Sequence, residues 1–147
     1  MTEPAVPNRA VVFVSEAMPG LDSAHLVGLM ADARRFNRDA GVTGVTLFDG
    51  SRFLAYMEGP PDGLDVAFSR AAGSTSHIEL IELARGRVGQ RRLPYWPMRL
   101  VPVSPGELLM LVRADWIGFL QRGAERTPPA TAMEMLGALV EPFAEAA

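Results

Sequence analysis

Cysteine is missing from all 147 residues. Its absence excludes disulfides, thiolate metal sites, a cysteine nucleophile and flavin–thiol photochemistry, and it fits a cytoplasmic chain. An excess of positive charge is missing too. The 14 Lys and Arg residues are outnumbered by 17 Asp and Glu, for a net charge of −3. No basic stripe is available for a phosphate backbone, so no nucleic-acid partner is expected. No apolar run approaches the roughly 18 residues of a membrane span, and no membrane association is expected. The opening "MTEPAVPNRA" is polar and broken by proline, unlike a signal peptide. Internal repeats and low-complexity tracts are also lacking. No His/Asp/Glu cluster has metal-ligand spacing, so no metal is expected. Neither a Ser/His/Asp or Lys-based nucleophile arrangement nor a glycine-rich phosphate loop is evident, so the chain is read as a non-enzyme with no catalytic residues. What remains is an ordinary globular composition, 48% hydrophobic and 21% charged, enough for one domain with a core and an appendage.

The apolar run "RAVVFVSEA" (Arg9–Ala17) suits a strand buried on both faces. "MPGLDS" is turn chemistry, and Asp22 or Ser23 can cap the following helix. There Leu26, Met30 and Ala33 recur at helical spacing, with Leu29 and Phe36 beside them, until Gly41 stops the helix. "VTGVTLFDGSRFLAYMEG" gives two strands joined by Asp49-Gly50, a hairpin signal. "PPDGLDVAFSRAAGS" makes a second helix with Leu64, Ala67, Phe68 and Ala71 on its apolar face. "HIELIELARGRV" reads as a strand through Ile78, Leu80, Ile81 and Leu83, and "GQRRLPYWPMRLVPV" as a loop leading to a last short strand. The order predicts an α+β fold, a ferredoxin-like βαββαβ sandwich with both helices on one sheet face. From Ser104 the pattern becomes helical. "SPGELLMLVRADWIGFLQRG" opens with Ser-Pro and a Glu three residues after Ser104. "TPPATAMEMLGALVEPFAE" resumes after a double-proline break. Residues 1–103 thus form the main domain. Residues 104–147 form an apolar helical appendage that docks on the sheet's free face or on a second subunit, and a homodimer is expected.

Several polar residues sit where a ligand could lie. Asn37 shares the inward face of Met30 and Ala33. It either hydrogen-bonds a ligand held between the helices or is satisfied by backbone near Gly41. Ser15 ends the first strand and can donate to a ligand or begin the turn. Arg70 either faces a ligand carbonyl or packs its stem with a wet head. His77 opens the fourth strand as a lone histidine, and His25 lies exposed near a helix start. "YWPM" (Tyr95–Met98) is either a flap that swaps Trp96 and Met98 over a pocket or a plug at an edge strand. Glu79 and Glu82 read as solvated strand positions.

These stretches together resemble a known family. "VVFVSEA", "FNRDAGVTGVTLFDGSRFLAYMEGP", "SRAAGSTSH" and "RRLPYWPM" are similar to the BLUF domain, the blue-light sensor using FAD, over about Arg9 to Val103. The resemblance implies a ferredoxin-like fold with FAD between the two helices and a signalling role toward a downstream protein partner. It implies cofactor contacts at Ser15, Asn37, Arg70, His77, Trp96 and Met98. In the family, a Tyr on the first strand hydrogen-bonds a Gln on the third, which contacts the flavin. Here those places hold Phe13 and Ala55. Phe has no phenolic proton to give and Ala no hydrogen bond to make, and the neighbouring Tyr56 points to the other sheet face. Ser74 and Ser76 also stand where the family often has Asp and Arg. The expectation is weakened FAD binding without the ordinary photocycle. The alternative is a cofactor-free dimerisation or protein-interaction module on the same fold. An acyl-phosphate hydrolase is disfavoured, since no anion-binding turn with a positioned Arg follows the first strand.

Overall fold

The computed structural model describes residues 7–121 and 130–145, the side chain of residue 145 excepted. The extreme N-terminus, read above as no signal peptide, and the double-proline break at 128–129 lie outside them.

Five strands form one sheet: β1 (Asn8–Ala17), β2 (Thr43–Phe48), β3 (Arg52–Gly59), β4 (His77–Gly89) and β5 (Leu100–Pro102), in the order β4-β1-β3-β2-β5. β1 runs antiparallel to both β3 and β4, whereas β2 and β5 are parallel. The Asp49-Gly50 corner sets the register of the β2–β3 hairpin, pairing Phe48 with Phe53 and Thr46 with Ala55. Helices α1 (Ser23–Ala40) and α2 (Pro61–Ala72) cross over between the strands, giving the α+β, ferredoxin-like sandwich.

Because β1 is central, its alternate side chains feed two cores. Val11 and Phe13 join Met30, Met57, Leu64 and Ala67 beneath α1 and α2. Ala10, Val12 and Val14 join Leu54, Tyr56 and the C-terminal segment on the opposite face. That second face is covered by α3 (Pro105–Arg113), a 3₁₀ turn (Ile117–Phe119) and α4 (Ala132–Glu145), through Leu108, Leu111, Phe119, Met133 and Leu136.

The helix ends follow their sequences. Asp22 caps α1 by accepting from the His25 amide at 2.8 Å, and Gly41 closes it with φ of 75°. Ser104 and Glu107 form a reciprocal capping box at α3. A Cβ at Gly63 would overlap the Ala40 carbonyl oxygen, so the start of α2 lies directly on the end of α1.

The strand read at 77–89 forms but is irregular, and one helical reading needs correction. Ile78 and Ile81 are 43% and 60% exposed, while Leu80 and Leu83 pack against opposite cores. β4 is an edge strand with register shifts against β1 and a left-handed Glu79 (φ 56°), so its faces do not alternate regularly. The helical pattern after Ser104 also stops early. α3 ends at Arg113, and the chain turns through Gly118 and Phe119, both at positive φ.

Candidate functional site

Between α1, α2 and the sheet lies a cavity of about 380 Å³, within the roughly 300–1,000 Å³ usual for small-molecule pockets. Its floor is Phe13, Ala55, Met57 and Thr46; its walls are Met30 and Asn37 from α1, and Ala67 and Arg70 from α2. The Gly73–His77 segment borders one end, and Met98 reaches in from the loop before β5.

Phe13 and Ala55 are direct cross-strand partners, so the two substituted switch positions stand side by side under the cavity. The Phe13 ring meets Phe68 edge-on at 5.5 Å. Ala55 offers only a methyl group, and nothing polar from β3 enters the cavity there.

Asn37 is buried at 4% exposure. Its Nδ2 donates to the Pro97 carbonyl at 3.0 Å. Of the two partners read from the sequence, backbone near Gly41 is therefore not the one its side chain uses: the amide ties α1 to the loop before β5. Its Oδ1 accepts no hydrogen bond among the described residues.

Ser15 and His77 form a closed chain. The Ala71 carbonyl can only accept, so the His77 Nε2–H donates to it, at 2.6 Å. In the neutral ring Nδ1 then accepts from the Ser15 hydroxyl, also at 2.6 Å. His77 borders the cavity with both ring nitrogens engaged, while Ser15 stands behind it. Arg70 is exposed, donates to the Asp32 carbonyl at 3.3 Å and lies over the Phe36 ring at 4.5 Å. It rims the cavity, with an apolar stem and a wet head.

Trp96 and Met98 part company. Met98 is buried in the cavity wall, its Sδ accepting from the Thr46 hydroxyl at 3.1 Å. Trp96 does not line the cavity; it packs against the core on the other sheet face, with Arg99 over its ring at 4.9 Å. This corrects the grouping of Trp96 with the cavity residues. The backbone from Tyr95 to Arg99 is not yet strand, so the i, i+2 spacing does not place the two side chains on one face. Of the eight singled-out positions, the cavity gathers Phe13, Asn37, Ala55, Arg70, His77 and Met98; Ser15 stands behind His77, and Trp96 lies across the sheet.

Two polar residues escaped the sequence reading. Thr46 lines the cavity opposite Ala55, a position that the Asp49-Gly50 hairpin register would have revealed. Glu58 has no exposed surface. Its Oε1 accepts from the Tyr56 hydroxyl and the Arg92 amide, each at 2.8 Å, and its Oε2 from the Leu93 amide at 2.7 Å. Burial, and then the Glu58 carboxylate, push the Tyr56 phenol pKa far above its ordinary value. Arg92 Nε also donates to the Phe119 carbonyl at 3.3 Å. The loop from Gln90 to Arg99 is thus fastened to the cavity through Pro97 and Met98, and to the C-terminal face through Arg92. Among the described residues no acidic or histidine cluster suits a metal, and no helix is long and apolar enough to cross a membrane.

Comparison with known proteins adds to this geometry. No curated protein matches the chain. Among solved structures it is similar to the dark state of BlrB, a BLUF protein, at 27% identity and a TM-score of 0.63, over 65% of this chain and 73% of that one. A Klebsiella pneumoniae BlrP1 complex with calcium and cyclic diGMP matches 92% of this chain at 22% identity and a TM-score of 0.67. A bacterial light-regulated adenylyl cyclase matches 65% of it at 19% identity and a TM-score of 0.62. These last two show likeness of fold alone. The chain spans only 34% of BlrP1 and 28% of the cyclase. The model for sensors of blue light using FAD matches residues 9–99, a span that holds both crossover helices and every residue of the cavity. The chain therefore belongs to the BLUF family of sensory domains.

Proposed function

We propose that this chain is a non-enzymatic sensory module that holds the flavin ring of FAD between α1 and α2 but lacks the Tyr–Gln photocycle. The observation that carries the reading is the cavity between the two helices, with Asn37 buried in its wall and anchored by Nδ2 while Oδ1 stays without a donor. A ring with an N–H edge suits that acceptor, and Met30, Ala67 and Met98 supply apolar surface for its faces. Arg70 can turn a remaining guanidinium N–H toward a ligand at the rim. The residues fit the ring system. When bound, the flavin supplies blue-light absorption. This chain's own residues orient the ring and shield it from water, but neither Phe13 nor Ala55 can exchange a proton or a hydrogen bond with it.

A buried polar ligand edge left without a partner costs about 1–3 kcal/mol. A Gln amide at position 55 could serve two such groups, and losing both to Ala55 would weaken binding by roughly thirtyfold or more, less whatever water recovers. We assign output to the C-terminal helices, acting on a downstream protein partner or on a second copy in a homodimer, in a cytoplasmic setting.

The second reading is a cofactor-free interaction module. It is favoured by the internal satisfaction of His77 and by the Met98 side chain already seated against Thr46. An absorbance spectrum of purified protein, before and after incubation with FAD, separates the two. A blue absorption band that stays with the protein through gel filtration and leaves on denaturation is the expected result. Protein that stays colourless after reconstitution refutes the flavin reading.

A further inference from the structure

We propose that Thr46 is the ligand-contacting hydroxyl of this cavity and takes the hydrogen-bonding place that Ala55 leaves empty. The inference rests on the flavin reading above and deepens it.

Phe13, Ala55 and Thr46 lie in one row across β1, β3 and β2: Ala55 is the register partner of Phe13 on one side and of Thr46 on the other. Directly paired residues point to the same sheet face, and all three line the cavity. The row therefore reads aromatic ring, methyl group, hydroxyl. Neighbouring strands are about 4.8 Å apart, so the hydroxyl is one strand spacing from the position where β3 offers nothing. Thr46 is buried at 5% exposure. Its hydroxyl donates at 3.1 Å to the Met98 Sδ, and a thioether is among the weakest acceptors a protein owns.

A buried donor held by so poor an acceptor is available to a better one. A ligand carbonyl or unprotonated ring nitrogen over Ala55 is such an acceptor, and the hydroxyl reaches it by rotation about one bond. The Met98 thioether is then a placeholder that the ligand displaces. Because Met98 follows Pro97, whose carbonyl holds Asn37, the exchange acts on a segment already bound to α1. The edge of the ring is thereby read from β2 instead of β3.

The test compares the unaltered chain with Thr46→Val and Thr46→Ser, loaded with riboflavin or FAD. Val keeps the branched shape and removes the hydroxyl; Ser keeps the hydroxyl. One net hydrogen bond predicts a three- to tenfold rise in Kd for Thr46→Val, on the order set by ordinary hydrogen-bond strengths, with Thr46→Ser within about twofold. The infrared carbonyl stretch of bound flavin moves up in frequency in Thr46→Val and stays in place in Thr46→Ser. A purely structural role would not produce that split. Ligand-free melting temperatures of the unaltered chain and Thr46→Val agree, since the only bond removed is to sulfur, while Thr46→Ser melts slightly lower for the buried methyl it lacks. A Thr46→Val protein that binds flavin as tightly as the unaltered chain, with its carbonyl stretch unmoved, overturns the inference and leaves the flavin reading standing. Failure of the unaltered chain to bind either flavin overturns both.

Discussion

The buried Glu58 carboxylate offers the sharpest test of how the loop before β5 is held. Three donors converge on it at 2.7–2.8 Å: the Tyr56 hydroxyl and the amides of Arg92 and Leu93. A hydrogen bond to a charged group contributes about 1.5–3 kcal/mol. Glu58→Ala would strand all three donors and open a cavity, a cost comparable with the whole stability of a domain this size, which is about 5–15 kcal/mol. Glu58→Gln is the informative change because it keeps the volume. Its amide oxygen can serve the two donors now on Oε1, but its NH₂ then faces the Leu93 N–H, donor against donor. One stranded backbone amide and the lost charge together predict a cost of about 2–3 kcal/mol. With a urea slope of about 2 kcal/mol/M, the unfolding midpoint falls by about 1–1.5 M at unchanged slope. Native-state hydrogen exchange adds a local readout: the Leu93 amide loses protection before the amides of β1 do. A midpoint shift below about 0.3 M, or an unchanged Leu93 amide, would refute the argument that Glu58 fastens this loop.

Other outcomes follow from the same structure. The Tyr56 phenol has its pKa raised in the folded state, so the unfolded chain releases that proton first. Its contribution is complete below about pH 10, the ordinary value, and is lost as pH rises further; Tyr56→Phe should flatten that alkaline decline in a urea-midpoint series. Gly63→Ala drives a Cβ into the Ala40 carbonyl and should cost about 1–3 kcal/mol by overpacking, read as a lower melting temperature, whereas Gly28→Ala, whose new methyl meets nothing, should be neutral or stabilising. Ser15→Ala removes the donor to His77 Nδ1 and should cost about 1–2 kcal/mol; an unchanged midpoint would contradict the hydrogen-bonded chain from Ser15 to Ala71. Phe13→Tyr with Ala55→Gln, loaded with FAD, should acquire a light-induced red shift in the flavin band, and either change alone should not.

Much of this fold is legible in the chain because local and global signals agree. The Val-rich run of β1, the Asp49-Gly50 corner and the Asp22 and Gly41 caps of α1 each name one local structure, and the fold uses all of them. The site was legible in its residues but not in their partners. Asn37 could be placed on the inward helix face by spacing, yet its bond to Pro97 crosses 60 positions, and no periodicity reports such a contact. Ile78 to Leu83 named a strand correctly, but which of them face a core was not legible, because an edge strand with shifted register does not alternate its faces regularly. Trp96 was expected beside the ligand from the family resemblance alone, and the non-strand backbone from Tyr95 to Arg99 carries it to the other sheet face while Met98 lines the cavity. Thr46 was hidden by its own strand, where threonine is unremarkable until its partner across the hairpin is known to be alanine.

The contact between Gly63 and the Ala40 carbonyl bears on how anything enters the cleft. Two helices whose backbones touch at one extremity resemble a clothes-peg, because at that end no side chain lies between them to repack. The opposite extremity, near Asp32, Arg70, Gly73 and Thr75, all exposed to water, is held by side chains instead, through Arg70 on the Asp32 carbonyl and the Phe36 ring. Under the flavin reading proposed above, a planar guest would enter edge first from that side and leave its tail beside the same four residues.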